Sequence, residues 1–227
     1  MIAVDGPVAS GKSSIGRRLA DKLGYLFFDT GVMYRAVTYL ALRDLGTAQD
    51  ASAVTALAER VRIDVLPATV DDGRDCTILA GEPGVDITWA IRAGGVEDNV
   101  SLVAAIQEVR RVLTAQMRRV GLRGRVVMVG RDVGTVVLPE ADLKVFLTAS
   151  VETRAHRRYD ETHARGEARS YEDILANLRE RDRIDSSRAI APLRAADDAV
   201  VLDTTDLDGE AVIAAIVELL QPAGRAM

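Results

Sequence analysis

The eight residues Gly6-Pro7-Val8-Ala9-Ser10-Gly11-Lys12-Ser13 carry the spacing G-x-x-x-x-G-K-[ST]. Glycines let a backbone curl until successive N–H groups point inward at a phosphate. A helix starting at once adds free N–H donors and the positive end of its dipole. Lys12 then reaches the outer phosphates, and the Ser13 hydroxyl is suited to ligate a magnesium ion. The apolar run Ile2-Ala3-Val4-Asp5 precedes the turn, and the helix-compatible stretch 13–20, beginning Ser13-Ser14, follows it. That strand–loop–helix order is the context the motif requires.

Four further groups carry chemistry-bearing residues. In Asp29-Thr30-Gly31-Val32-Met33-Tyr34-Arg35, Thr30 suits a helix cap. Tyr34 and Arg35 lie one turn on and face either a ligand or solvent. In Gly130-Arg131-Asp132-Val133-Gly134-Thr135 a charged pair ends a run of valines. Burying those charges is costly unless they have partners or work. Ligands in open α/β sheets bind beyond the carboxyl ends of strands, which favours a functional pair over a structural one. Arg181, Asp185 and Arg188 follow i, i+4, i+7 spacing and share one helix face. They read as a solvated salt-bridged helix, or as a lid that covers phosphates and neutralises charge. Arg154, Arg157 and Arg158 either grip a triphosphate or base, or are plain surface charge. Ser101 and Arg110 carry no signal of their own.

These residues need elements to hold them. Strands are expected at 2–5, 25–29, 125–129, 143–147 and 199–203, with helices at 13–23, 32–45, 53–62, 87–105, 108–120, 151–164, 171–186 and 210–220. Alternating strands and helices imply a mainly parallel sheet covered on both faces. Between about 61 and 87 the pattern changes: extended pieces at 62–66 and 76–79 flank the turn-rich Asp71-Asp72-Gly73-Arg74, which reads as a small antiparallel insertion. The tail 221–227 is expected to fray.

Composition sets bounds on function. With 227 residues, 48% hydrophobic and 28% charged, the chain is long enough for an α/β domain with an insertion. A net charge of −5 argues against a general nucleic-acid binder. Cys76 is the only cysteine, so neither an intrachain disulfide nor a cysteine zinc site is expected. No apolar stretch approaches bilayer-spanning length, and the phosphate loop begins at Gly6 with no room for a signal peptide, so a cytoplasmic protein is expected.

Taken together, these motifs resemble the bacterial cytidylate kinases, P-loop nucleoside monophosphate kinases that phosphorylate CMP and dCMP with ATP. The resemblance runs over nearly the whole chain. It rests on Asp5-Gly6-Pro7 with the phosphate loop, on Asp29-Thr30-Gly31 with Met33-Tyr34-Arg35, and on Ile91-Arg92, Ser101 and Val109-Arg110. It continues through Gly130 to Val137, Arg154 to Arg158, Arg181-Asp182 with Asp185, and Arg188-Ala189 with Ala191-Pro192-Leu193.

The resemblance implies an α/β, three-layer P-loop fold with a central, mainly parallel five-stranded sheet. A core of residues 1–59 and 106–227 would carry a short helical lid at about 155–190, and residues 60–105 would form the monophosphate-binding insertion. ATP would lie on Gly6, Pro7, Val8, Ala9, Ser10, Gly11, Lys12, Ser13 and Ser14 with Arg154 and Arg157, and magnesium on Ser13. Thr30, Arg35 and Arg131 would hold the acceptor phosphate, with Tyr34 packing nearby. Ser101, Arg110 and Asp132 would read cytosine, and Arg181 and Asp185 would hold the ribose. Lys12, Arg131, Arg181 and Arg188 would carry catalysis. The implied partners are ATP, CMP and dCMP, with the chain a monomer that binds neither nucleic acid nor membrane. Val129 departs from the family pattern, which usually has an acid there, as does Gln107 at a position where proline is common. A kinase for another monophosphate and a nucleotide-dependent switch are the rival readings; the switch would not need a second set of phosphate-holding arginines.

Overall fold

The computed structural model describes residues 1–164, 166, 168–187 and 191–220. Arg188 and the tail 221–227, both assigned roles or states above, lie outside the described residues. β1 (Ile2–Asp5) leads through the phosphate loop into α1 (Lys12–Leu23). β2 (Leu26–Asp29), α2 (Gly31–Asp44) and α3 (Ala51–Arg60) follow. Next come β3 (Ile63–Pro67), β4 (Cys76–Ala80), β5 (Val85–Asp86), a 3₁₀ turn at Ala90–Arg92, α4 (Gly94–Ala105) and α5 (Gln107–Gly121). β6 (Val126–Gly130) runs into a π-helical turn at Val133–Val137. The remaining elements are β7 (Leu143–Thr148), α6 (Val151–Ala164), α7 (Tyr171–Ser186), β8 (Val200–Asp203) and α8 (Gly209–Leu219).

The five strands expected for the main sheet form it, in the order β2-β6-β1-β7-β8. β1 pairs parallel with β7, and β7 parallel with β8. A separate three-stranded sheet, β3-β4-β5, is antiparallel. The chain divides into two compact units, one of Met1–Leu23 with Val129–Met227 and the other of Gly24–Met128.

In the first unit, all four residues of β1 are buried, as a continuous apolar run requires of a strand covered on both faces. Ile2 to Asp5 lie in register with Leu143 to Phe146 of β7. α1 buries Ile15, Gly16, Leu19 and Ala20, and α8 buries Val212, Ile213 and Ile216, each set on one helical face. α6 and α7 pack through Ala155, Ile174 and Leu178, with Val8 and Ala9 of the phosphate loop against the same cluster.

In the second unit, α2 buries Met33, Ala36, Val37, Leu40 and Ala41 on one face. β3 and β4 pair from Ile63↔Ala80 to Pro67↔Cys76, where the sequence pattern predicted extended chain. The helix expected from residue 87 begins only at Gly94. Local side chains explain the delay. Asp86 Oδ1 accepts the Thr88 N–H at 2.9 Å, and Thr88 Oγ1 accepts the Ile78 N–H at 2.9 Å. The Ile87 N–H reaches Ile78 O at 2.9 Å, so the chain stays on the sheet. Polar side chains that bond nearby backbone compete with helix in this way.

Gln116 of α5 joins three elements of this unit. Its Oε1 accepts the Ile63 N–H at 2.8 Å, and its Nε2 donates to Val61 O at 2.9 Å. Gln116→Leu leaves both backbone groups without that partner. Urea titration should show a loss of about 1–3 kcal/mol with an unchanged m value. An unchanged midpoint would mean that water replaces the amide at no cost.

Candidate functional site

The phosphate loop takes its shape from what surrounds Gly6. Its φ is +151°, and a Cβ there would lie 2.1 Å from the carbonyl oxygen of Leu147 in β7. Only glycine fits a backbone this close to its neighbour. Gly11, at φ +90°, gives the second bend before α1 starts. Ala9 sits at φ +60°, in the left-handed region that non-glycine residues uncommonly occupy. Lys12 Nζ donates to Pro7 O at 2.6 Å, so the lysine folds back over the loop. A cavity of about 650 Å³ opens there, lined among others by Lys12, Ser13, Arg157, Arg158, Thr204 and Asp208. Its size suits a small-molecule ligand.

Arg157 forms a fixed wall of this cavity. It donates to Thr204 Oγ1 at 3.1 Å and to Thr204 O at 2.5 Å. Thr204 is itself anchored, since its N–H reaches Thr148 O at 2.8 Å. Arg158 lines the cavity beside Glu161, with which it pairs at 2.8 Å. Arg154, expected on the triphosphate, does not line the cavity. Its guanidinium is bonded to Ala149 O, Val8 O and the Asp182 carboxylate.

Asp5 closes β1 immediately before the loop. It is buried, and each carboxylate oxygen takes one backbone N–H from the π-helical turn: Val133 N at 2.8 Å and Gly134 N at 2.7 Å. Burial pushes its pKa up to about 6, against the pull of those N–H groups; nearby Asp132 raises it further and Lys12 lowers it. Arg131 and Asp132 stand between β6 and this turn. Arg131 Nη1 donates to Asp185 Oδ1 of α7 at 3.1 Å, and the Asp185 side chain is only 3% exposed. Arg181, on the same helix, is exposed.

The second unit holds another set. Asp29 Oδ1 accepts the Gly31 N–H at 2.9 Å. Thr30 occupies the N-cap position of α2, but its backbone is helical there and its side chain makes no capping bond, which corrects the capping role expected from sequence. Arg35 Nη2 donates to Glu97 Oε2 of α4 at 2.5 Å. The Arg110 guanidinium of α5 stands 5.7 Å from the centre of the Tyr34 ring, within cation–π range. Ser101 is exposed on α4, one turn beyond Glu97. Thus α2, α4 and α5 bring Tyr34, Arg35, Glu97 and Arg110 into pairs within one unit.

The sequence matches the protein-family model for cytidylate kinase over residues 2–222. The chain belongs to the cytidylate kinase family. A cytidylate kinase of Herpetosiphon aurantiacus is 48% identical over 96% of this chain and 93% of its own. That of Carboxydothermus hydrogenoformans is 44% identical over 96% of both chains. One solved structure, an uncharacterized protein from Eubacterium ventriosum, aligns over 96% of each chain at 9% identity with a TM-score of 0.53, a likeness of fold alone. Among the described residues no helix is long and apolar enough to cross a membrane, and no group of three or more His, Cys, Asp and Glu gathers to hold a metal.

The family motifs did not point to several residues now seen at these positions. Glu97, the partner of Arg35, is an ordinary helix acid in sequence. Asp182 lies within the Arg181–Asp185 motif, but its role as the partner of Arg154 is not legible there. Thr204 and Asp208 line the cavity, and their signal was available: they follow β8, at the carboxyl end of a parallel strand. Val129, the departure from the cytidylate kinase pattern, is buried inside β6, where a valine is at home.

The position of Asp5 makes stability depend on pH. Its folded pKa of about 6 exceeds the unfolded value, so the folded chain holds that proton more tightly. The resulting stabilisation is complete below about pH 4 and lost as pH rises through about 6, a change of roughly 3 kcal/mol. Asp5→Asn removes this titration. The difference in unfolding free energy between the two proteins should therefore shift by that amount between pH 4 and pH 7.5, to the disadvantage of Asp5. A difference flat across that range would mean the carboxyl titrates at its ordinary value.

Proposed function

We propose that this chain transfers the γ-phosphoryl group of ATP to CMP and dCMP, releasing ADP and CDP or dCDP. The observation that carries the reading is the cavity over a complete phosphate loop, with Lys12 and Ser13 in its lining, in a chain of this family. The phosphate loop, residues 6–14, cradles the donor phosphates with its backbone N–H groups, Pro7 alone having none to give, and Lys12 neutralises their outer charge. Arg157, fixed by Thr204, borders the rest of the donor. Magnesium fits this arrangement: it takes few protein ligands beside substrate phosphates and water, and the Ser13 hydroxyl is exposed at the cavity. When bound, the ion would neutralise charge on the transferring group.

On the acceptor side, Thr30, Arg35 and Arg131 hold the CMP phosphate, with Tyr34 packing beside the nucleotide. Ser101, Arg110 and Asp132 read cytosine: the carboxylate accepts from the exocyclic amine, and a donor meets the ring acceptors. Uracil would place a carbonyl against that carboxylate. Arg181 and Asp185 hold the ribose, and Arg188 adds charge near the phosphates. Residues 60–105, with the antiparallel strands and α4, serve as the monophosphate-binding insertion. The acceptor phosphate is already an anion at neutral pH, so its oxygen attacks the γ-phosphorus while the bond to the β-phosphate oxygen breaks. No strong base is needed. Positioning and charge neutralisation supply most of the catalysis.

The test is coupled ADP release with CMP, dCMP, UMP, AMP and dTMP as acceptors. CMP and dCMP should be turned over far better than the rest. Arg131→Ala should lower kcat/KM for CMP by about ten- to a hundredfold through loss of charge-assisted hydrogen bonds, leaving ATP binding intact. UMP used as well as CMP would refute the roles of Asp132 and Arg110, and an unaltered CMP response in Arg131→Ala would refute the acceptor-phosphate assignment.

A further inference from the structure

Arg154 is almost wholly buried, and its donors are committed. Nε donates to Ala149 O at 3.1 Å, at the start of its own helix. Nη1 reaches both Val8 O of the phosphate loop and Asp182 Oδ1 of α7, each at 3.1 Å. Nη2 meets Asp182 Oδ2 at 2.5 Å. The planar fork of arginine matches a carboxylate in this bidentate way, and lysine cannot reproduce it. The surrounding cluster of Ala155, Ile174 and Leu178 with Val8 and Ala9 draws the same three pieces together through apolar contact.

We infer that Arg154 is a positioning residue, whose bridge from the Val8 carbonyl to Asp182 sets α7 against the phosphate loop. Asp182 stands between Arg181 and Asp185, so the bridge fixes how α7 presents both. The inference rests on the donor–acceptor reading above, in which Arg181 and Asp185 hold the acceptor ribose. On this account Arg154 acts on the acceptor through α7 and makes no contact with ATP.

Three variants test it: Asp182→Asn, Arg154→Lys and the double substitution. Asp182→Asn keeps the shape of the side chain and guards against loss of folding, which a melting curve on each variant monitors. KM for CMP should rise about tenfold in each single variant, and the double variant should be no worse than either, because the two residues act as one unit. The dissociation constant for ATP, measured without acceptor, should stay within about twofold of wild type. A selective loss of ATP affinity in Arg154→Lys, with Asp182→Asn unaffected, would overturn the inference in favour of a direct ATP contact. Parallel loss for both nucleotides, additive effects, or an unchanged KM for CMP would also overturn it. Wild-type protein that fails to phosphorylate CMP at all would instead count against the function reading.

Discussion

A carboxylate buried at the end of a central strand must find hydrogen-bond donors, and Asp5 takes them from the backbone of the π-helical turn. Much of the first unit follows from this. The turn approaches closely: a Cβ on Gly134 would sit 3.3 Å from Asp5 Oδ2 and 3.3 Å from Lys144 Cδ, so a larger side chain there would require those side chains to give way. The turn is widened by i to i+5 bonds, such as Leu138 N to Val133 O at 2.7 Å, and its N-terminal neighbours are Arg131 and Asp132. On its other side Asp5 is followed directly by Gly6, whose backbone lies against Leu147. One side chain therefore ties the root of the phosphate loop to the segment that carries Arg131. A π-helical turn gives up regular helix geometry, and such turns gather at functional sites; here its two free N–H groups are what satisfy the buried acid.

This arrangement also shows what a sequence reveals and what it hides. The main strands were legible because a parallel sheet buried on both faces demands continuous apolar runs, and Ile2-Ala3-Val4 and Val126-Val127-Met128-Val129 are such runs. Gly6 and Gly11 were legible because glycine best tolerates their positive φ, and at Gly6 also the close approach of Leu147. β5 was not: two exposed residues, Val85 and Asp86, carry no periodicity. The π-helical turn was not, because Val133–Val137 reads equally as strand or loop and its cause lies 128 residues away in Asp5. Thr30 has the residue type of a cap and the position of one, yet its helical backbone angles point the hydroxyl elsewhere. Pairings such as Arg35 with Glu97, 62 residues apart, depend on how α2 meets α4, which no local pattern encodes. Residue types announced the chemistry, and tertiary contact chose the partners.

Those partners differ in a way that sorts the arginines. Glu97 is 66% exposed, so water already competes for it, and an ion pair of this kind contributes little to stability. Arg35 can exchange Glu97 for a phosphate at small cost, because an anion replaces an anion at the same guanidinium. Arg131 is intermediate: it is 35% exposed, whereas its partner Asp185 is buried, so displacing the arginine means finding another donor for a carboxylate without easy access to water. On the proposed reading a ribose hydroxyl is such a donor, so phosphate on Arg131 and ribose on Asp185 would support each other. Arg154 stands at the far end. It is 5% exposed, bidentate, and bonded to two backbone carbonyls besides. No incoming anion could reach it without breaking the link between the loop and α7. Exposure of the partner thus separates a cation available to substrate from one that holds the frame, a distinction that counting arginines in the sequence cannot make.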